Sequence, residues 1–332
     1  MDESVLREYF ESNHPAFDSL NIHNVRNITS GWETEILSFD LEESGGKIQK
    51  LVARIYPGSD AVPQAQKEAS IMMKLQEIGY PVPKVHLIET VSSHLGSPFM
   101  IMDRIDGGTL DDKLIEDERK WAPVFFKLFV DLHKLDWREM TTPDRVPLFD
   151  DEYFYIKTTL SEIEKALKLI GKQEFMPIVD WARERYRDVP CKTPSIIHGD
   201  FHPFNILVDE QGKPYVIDWG AAKVADYRAD LAWTMLLTYA YDTKEKRDMI
   251  LNEYEHSLGK RVEQIEYFEA LSTLRRLFDV TSSFEGKTNL RPGAVELMKE
   301  TAGHVVRVRD RLEDLTAITI PEVDEFIEKI NE

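Results

Sequence analysis

The stretch that decides the fold runs from residue 196 to residue 220 and reads IIHGDFHPFNILVDEQGKPYVIDWG. An apolar strand leads into Asp200, and Asn205 follows five residues later, in front of a second apolar strand. Turn-forming residues at 211–214 lead into a third strand, which ends in Asp218 and is followed by Trp-Gly. This alternation of apolar runs and turn residues predicts short strands that carry polar side chains at their ends.

The three polar side chains are of the types that phosphoryl transfer requires. Mg²⁺ prefers oxygen ligands, which a carboxylate and an amide supply from adjacent strands, as Asp218 and Asn205 would. A further oxygen group must orient the acceptor hydroxyl and accept its proton, as Asp200 would. The spacing matches the kinase catalytic loop H-x-D-x-x-x-x-N and the D-x-G metal site.

The chain before this stretch predicts a small sheet around one main helix. Apolar residues recur at helical spacing over 65–78, and Gly79 ends that segment. A hairpin signal at 44–47 separates two of the strand segments. The predicted strands lie at 28–37, 39–41, 49–56, 85–89 and 99–103.

The chain after residue 109 is mostly helical, apart from the strands around the opening stretch. The predicted helices lie at 124–135, 153–170, 175–187, 231–241, 244–258, 262–278 and 293–315. The order of elements predicts an α+β protein with two lobes. A small lobe spans 1–105 and ends in a hinge, and a larger helical lobe spans 106–332.

Composition limits the partners and the cellular address. Forty-one Lys and Arg against 60 Asp and Glu give a net charge of −19, which argues against nucleic acid or anionic membranes as partners. The single cysteine, Cys191, excludes a disulfide within the chain, and the acidic N-terminus does not read as a secretory signal, so we expect a cytoplasmic protein. The acidic surface suits a cationic substrate, although such a surface is more often an aid to solubility or a signature of habitat.

The double motif resembles the aminoglycoside phosphotransferase family, to which choline kinases are similar and whose fold is that of the protein kinases. The resemblance rests on the segment from His198 to Asn205 together with 217–220, and it extends through most of the chain. Glu68 fits the glutamate of the main helix in that fold. The segment 226–232 resembles the acidic segment, ending in Asp-Leu-Ala, that follows the metal-binding aspartate.

The resemblance implies a role for each matching position. Asp200 would be the catalytic base, Asn205 and Asp218 would hold Mg²⁺, and Asp230 would anchor the catalytic loop. Arg54 would pair with Glu68 and reach a phosphate of ATP or GTP. The remaining nucleotide contacts would come from a phosphate loop and from the hinge: Ser30, Gly31, Met102, Asp103 and Ile105.

Two departures from the protein-kinase pattern bear on the nucleotide site and on regulation. Arg54 stands where a phosphate-gripping Lys is expected, and its planar fork differs in geometry from a point charge. The phosphate loop holds one glycine instead of three. The motif lacks an Arg between His198 and Asp200, and Ala-Pro-Glu is absent after Asp218. These absences favour an enzyme that acts on small molecules over a regulated protein kinase.

The acceptor site is predicted to lie among the C-terminal helices. Trp219 follows the metal-binding aspartate and would form a wall of the cleft. Acidic residues on a later helix, Glu266, Glu269 and Asp279, would line a pocket for an amine-bearing hydroxyl compound. The acceptor itself, the choice between ATP and GTP, and the oligomeric state are left open.

Two other functions are compatible with parts of the sequence. A catalytically idle nucleotide-binding protein would explain Arg54 and the single glycine of the phosphate loop. A metal-dependent hydrolase would use His198, Asp200 and His202 as ligands, but it leaves Asn205 and Asp218 unexplained. The leading hypothesis is therefore a metal-dependent phosphotransferase that acts on a small-molecule hydroxyl.

Overall fold

The computed structural model of the chain describes residues 6, 8–10, 21–28, 34–42, 46–90, 96–285 and 303–331. The chain forms two compact units. The first comprises Met1–Trp121 with Pro203–Gly220, and the second comprises Ala122–His202 with Ala221–Glu332.

The first unit is built on a five-stranded antiparallel sheet in the order β1-β2-β3-β5-β4. Alternate side chains of its strands are apolar and buried, including Leu37, Phe39, Leu51 and Phe99, and they form one core cluster. Helix α1 buries Ala65, Ala69, Met72 and Leu75, which recur at helical spacing. The bounds of these elements are β1 Asn21–Ile28, β2 Glu35–Glu42, β3 Ile48–Ile55, α1 Ala61–Glu77, β4 Val85–Glu89 and β5 Phe99–Asp103.

The strand expected over 28–37 is wrong, because β1 ends at Ile28 and β2 begins at Glu35. The two strands pair antiparallel, with Ile28 opposite Ile36. Most side chains of β1 are exposed, so the strand carries little apolar pattern from which its end could be located.

A second, three-stranded sheet of the first unit carries part of the opening sequence stretch. It comprises β6 (Gly107–Thr109), β8 (Ile206–Asp209) and β9 (Pro214–Val216), in the order β6-β8-β9. A Cβ atom on Gly107 would lie 1.9 Å from the carbonyl oxygen of Val208, so only glycine permits this approach. The pairing of β6 with β8 explains why 203–220 belongs to the same compact unit as the chain before residue 121.

The second unit is mostly helical and contains one short antiparallel pair, β7 (Ser195–Ile197) with β10 (Lys223–Ala225). Helix α8 is buried along most of its length and packs against α5, α6 and α9. In the described residues after α1, the helices are α2 Leu110–Glu116, α3 Glu118–Lys134, α4 Phe154–Ile170, α5 Met176–Arg185, α6 Tyr227–Tyr241, α7 Lys244–Leu258, α8 Ile265–Phe284, α9 Gly303–Thr316 and α10 Pro321–Asn331.

The architecture confirms the predicted α+β fold class. The sheet of the first unit is antiparallel and is accompanied by one main helix, while the second unit is mostly helical. Within the described ranges, no helix has the length and apolar character needed to cross a membrane. The lobe boundary at residue 105 remains a prediction about function, because it separates nucleotide from substrate contacts.

Candidate active site

A buried aspartate on α6 holds the loop that follows β7. Asp230 is fully buried, and its Oδ2 and Oδ1 atoms accept hydrogen bonds from the backbone amides of His198 and Gly199 at 2.7 and 2.8 Å. Gly199 has φ of +83°, and a Cβ there would lie 2.9 Å from the Cβ of Ala221. The loop is therefore fixed by a carboxylate and by a backbone conformation that other residues rarely adopt.

The side chain of Asp200 extends from this anchored loop. Its Oδ1 atom accepts a hydrogen bond of 2.7 Å from the indole Nε1 of Trp233, and Nε2 of His202 lies 3.4 Å from Oδ2. Burial opposes ionisation, but His202 and Trp233 outweigh it and hold the pKa of Asp200 well below its ordinary value. Asp200 is therefore an ionised acceptor of hydrogen bonds, as a group that orients a hydroxyl must be.

Asn205 and Asp218 lie in the first unit. Asn205 directly precedes β8, and Asp218 comes two residues after the end of β9. Asn205 ends a 3-10 turn just before β8, and its carbonyl oxygen accepts a hydrogen bond of 2.9 Å from the amide of Ile217. This bond ties the segment before β8 to the segment that carries Asp218. An amide and a carboxylate oxygen are hard donors of the kind that Mg²⁺ prefers, so the residues present fit this ion.

Asp218 has an unusual backbone conformation. Its φ is +68°, in the left-handed region that non-glycine residues seldom adopt, and its side chain is 44% exposed. Such strain costs roughly 1–3 kcal/mol and clusters at functional sites. The conformation is consistent with a carboxylate presented for a ligand.

Arg54 on β3 lies between the carboxylates of Asp218 and Glu68. Its Nη2 is 2.7 Å from Oδ1 of Asp218, and its Nε is 3.4 Å from Oε2 of Glu68, which also accepts a 2.9 Å hydrogen bond from the hydroxyl of Tyr56. Burial by itself lowers the pKa of Arg54, but Glu68 and Asp218 outweigh it, so the pKa is raised and the guanidinium stays cationic. Arg54 thus occupies the place of the expected Lys and binds both neighbouring carboxylates.

The expected hinge residues lie at the end of β5 and just after it: Met102 and Asp103 are its last two residues, and Ile105 follows. Met102 is buried, and the side chain of Asp103 binds Nε2 of His86 at 2.6 Å. Ile105 is half-buried. Ser30 and Gly31, the expected phosphate-loop contacts, lie outside the described residues.

The environments of two residues correct their assignment to the acceptor site. Trp219 is fully buried, donates its indole N–H to the carbonyl of Val216 at 3.0 Å and packs edge-on against Tyr80. Glu269 is also fully buried and binds the guanidinium groups of Arg247 and Arg311. Neither side chain offers a surface to a ligand, because each is committed to packing inside its own unit.

The other two acceptor-site candidates remain accessible. Glu266 is exposed in the first turn of α8. Asp279 is half-exposed, with Oδ2 at 3.7 Å from Nε of Arg275 one turn earlier. The pocket predicted from acidic residues is thus reduced to two side chains, and one of them faces a cation.

The metal-hydrolase hypothesis gains no support from the histidines of the loop. His198 is fully buried, and its Nδ1 accepts the backbone amide hydrogen bond of Asp200 at 3.2 Å. Across the part of the chain that the structure describes, no group of three or more His, Cys, Asp or Glu side chains has the arrangement of a metal site.

Sequence reasoning missed Trp233 and Arg275 as neighbours of Asp200. Trp233 lies three residues after Asp230, on the same face of α6, and helical spacing could have placed it beneath the loop. Arg275 lies on α8, where its guanidinium carbon is 3.8 Å from the centroid of the Trp233 ring, and its Nη1 donates to the carbonyl of Gly199 at 2.8 Å. No local signal in the sequence links α8 to this loop.

Comparison with known proteins gives a family match over most of the chain. A family model described as a phosphotransferase enzyme family matches residues 24–269. The acyl-CoA dehydrogenase family member 10 of Mus musculus is 25% identical over 226 residues, which cover 62% of this chain and 20% of that protein. The matched segments span about a fifth of the length of the curated relatives.

Solved structures share the fold over nearly the whole chain. A Ralstonia eutropha JMP134 protein assigned as an aminoglycoside phosphotransferase has a TM-score of 0.65 at 17% identity and covers 99% of this chain and 98% of its own. Ethanolamine kinase of Plasmodium vivax has a TM-score of 0.57 at 15% identity, with 91% and 85% covered. A thermostable mutant of aminoglycoside phosphotransferase APH(4)-Ia, in ternary complex with ADP and hygromycin B, has a TM-score of 0.58 at 17% identity, with 95% and 97% covered.

Proposed function

Because this chain belongs to the phosphotransferase enzyme family, we propose that it transfers the γ-phosphoryl group of ATP or GTP to a hydroxyl of a small molecule. The observation that carries the proposal is the ionised carboxylate of Asp200 on a loop anchored by Asp230. A carboxylate held in this way orients the acceptor hydroxyl and accepts its proton as the phosphoryl group is transferred.

Asn205 and Asp218 would hold Mg²⁺ through an amide and a carboxylate oxygen. The ion supplies positive charge that neutralises the transferring phosphate. Arg54 already binds Oδ1 of Asp218 and lies beside Glu68, so it would orient the metal-binding carboxylate and direct its other N–H groups to a phosphate. Five donors in a planar fork allow one guanidinium to make both kinds of contact.

The nucleotide and the acceptor would be bound by different parts of the chain. The region 1–105 would bind the nucleotide, with Ser30 and Gly31 over the phosphates and with Met102, Asp103 and Ile105 at the base. The region 106–332 would bind the acceptor. Glu266 and Asp279 stay as candidates for contact with an amine of the acceptor, and we infer a cytoplasmic protein that needs neither nucleic acid nor a membrane as partner.

The test combines ligand binding with turnover. Purified protein is heated with Mg²⁺ and ATP or GTP, with and without a panel of hydroxylated amines, sugars and aminoglycosides, because a ligand that binds only the folded state raises the melting temperature. Compounds that raise it further are assayed for phosphorylation. The Asp200→Asn variant should lose turnover by at least about a hundredfold and retain nucleotide binding.

The control is Asp180→Asn, which changes an exposed carboxylate on α5 and should leave turnover unchanged. Full turnover in Asp200→Asn would reject the role proposed for that residue. Absence of phosphorylation with every acceptor, with nucleotide binding retained, would favour the second candidate function.

A catalytically idle nucleotide-binding protein is that second candidate. The ion pair of 2.7 Å between Arg54 and Asp218 favours it, because a guanidinium beside this carboxylate competes with a metal ion for the same oxygen. The two functions differ in the effect of Mg²⁺. An idle protein of this kind would bind nucleotide equally well with and without the ion, whereas the phosphotransferase would bind it more tightly with Mg²⁺.

A further inference from the structure

Helix α6 contacts both the backbone and the functional side chain of the loop after β7. Asp230 binds two loop amides, and Trp233, one turn later, donates its indole N–H to Oδ1 of Asp200 at 2.7 Å. Trp233 is only 4% exposed, so its ring has little freedom to turn away. A single turn of one helix therefore fixes the position of the loop and one oxygen of its carboxylate.

Arg275 on α8 lies against the ring of the same indole. Its guanidinium lies over the Trp233 ring at 3.8 Å, which is a favourable cation–π distance, and it donates to the carbonyl of Gly199 at 2.8 Å. One cation thus contacts both the ring that binds Asp200 and the backbone that precedes it. These two contacts link the indole to the backbone of the loop.

The hydrogen bond from Trp233 distinguishes the two oxygens of Asp200. An indole N–H can only donate, and a bond to an ionised acceptor is roughly twice as strong as one between neutral groups. The terminal torsion of an aspartate is otherwise broad, so a free carboxylate would exchange its oxygens. With Oδ1 bound by Trp233, Oδ2 is the oxygen that turns toward His202, whose Nε2 is 3.4 Å away.

We propose that Trp233 is a positioning residue for phosphoryl transfer: its indole N–H selects Oδ2 of Asp200 as the oxygen that meets the acceptor hydroxyl, and Arg275 holds the indole in place. The proposal rests on the proposed function, because it assigns Asp200 to the acceptor. The indole acts on the orientation of Asp200 and not on ligand binding. Its loss should therefore lower kcat and leave KM unchanged for both substrates.

The contact itself can be tested without an acceptor. The chain has six tryptophans, so its ¹⁵N-labelled form should give six indole N–H signals in an NMR spectrum. Trp233→Phe removes one signal, and we expect Asp200→Asn to shift that same signal, because a neutral amide is a weaker acceptor than a carboxylate.

The control is Trp181→Phe. The ring of Trp181 is half-buried, stacks on Tyr267 and, like that of Trp233, has an arginine near it, Arg185 at 4.9 Å. Within the described residues, no carboxylate accepts a hydrogen bond from its N–H. Its signal should stay in place in Asp200→Asn. If none of the six signals moved in that variant, the proposal would be overturned, whether or not Trp233→Phe folds.

The role in turnover is tested with the acceptor found in the screen. Trp233→Phe should lower kcat roughly ten- to a hundredfold with KM nearly unchanged, since the lost bond is to a charged group. The double variant with Asp200→Asn should be no slower than Asp200→Asn alone, and Trp181→Phe should keep the kcat of the wild type. A Trp233→Phe variant with full kcat, or one whose only change is in KM, would overturn the proposal.

The NMR measurement and the kinetic measurement together distinguish failure of the positioning role from failure of the proposed function. A shifted Trp233 signal in a protein without turnover would establish the contact and reject the phosphotransferase function, and with it the positioning role. A signal that stays in place in an active enzyme would reject the positioning role alone.

Discussion

Arg54 is the residue on which the nucleotide side of the candidate site depends. Its guanidinium is 12% exposed and lies between two carboxylates, one of them on Glu68, which is 2% exposed. The sequence predicted the pairing with Glu68 but not the contact with Asp218. A lysine amine is a single point of charge, so it would not be expected to span both carboxylates as a planar fork does.

Replacement of Arg54 tests this arrangement. Arg54→Ala should lower the free energy of unfolding by about 3–5 kcal/mol, because Glu68 would be left as a buried charge without its cation. Arg54→Lys keeps a positive charge and should lose less stability. Chemical denaturation of the two variants measures the difference, and nucleotide titration shows whether Arg54→Lys still binds.

The matched control for Arg54 is an exposed ion pair of the first unit. Lys74→Ala removes the partner of Glu77 on α1, where both side chains are exposed, and should cost no more than about 1 kcal/mol. Equal losses in Lys74→Ala and Arg54→Ala would contradict the view that burial makes the Arg54 pair important.

At the scale of elements, one buried carboxylate on α8 joins that helix to two others. Glu269 on α8 binds Arg247 on α7 and Arg311 on α9. Glu269→Ala should lower the free energy of unfolding by about 3–5 kcal/mol, because two arginines lose their shared partner. Glu266→Ala, three residues earlier on the same helix and exposed, should change it by no more than about 0.5 kcal/mol.

Denaturation curves and acceptor kinetics together decide the role of Glu269. A structural carboxylate changes stability and leaves KM for the acceptor unchanged. If Glu269→Ala were as stable as the wild type and showed a raised KM, the original assignment of Glu269 to the acceptor pocket would be restored.

The sequence predicted features that depend on local interactions and missed those that depend on residues far apart along the chain. Helix α7 was predicted over its full length, because its pattern and its ends are local features. The whole of β1 before Ile28 was missed, because most of its side chains are exposed and Ile22 alone is fully buried there. The roles of Glu269 and Trp233 were missed because their partners lie 22, 42 and 33 residues away along the chain.

At the scale of the molecule, the order of elements predicted an antiparallel sheet region followed by helices, but not the compact units. Strand β6 pairs with β8 across about a hundred residues of sequence, which brings 203–220 into the first unit. The chain therefore passes from the second unit to the first after His202, and it returns to the second unit at Ala221, all within the functional motif. A long-range pairing of this kind leaves no periodic signal in the sequence.

The net charge of −19 makes a prediction for the whole molecule. The chain has 60 acidic residues and only 41 basic ones, so negative charges repel one another in the folded state. Repulsion of this kind destabilises the compact form. Salt shortens the screening distance from about 30 Å at 0.01 M to about 8 Å at 0.15 M. The melting temperature should therefore rise by a few degrees over this range, in NaCl and KCl alike.

The same titration distinguishes the repulsion from the surface ion pairs. Exposed pairs such as Lys74 with Glu77 are weakened by salt, so a protein that depended on them would melt at lower temperature as salt is added. A fall in melting temperature would mean that these attractions outweigh the net repulsion. The buried pairs of Arg54 and Glu269 are screened much less, so Arg54→Ala and Glu269→Ala should show the same rise with salt as the wild type, from a lower starting temperature.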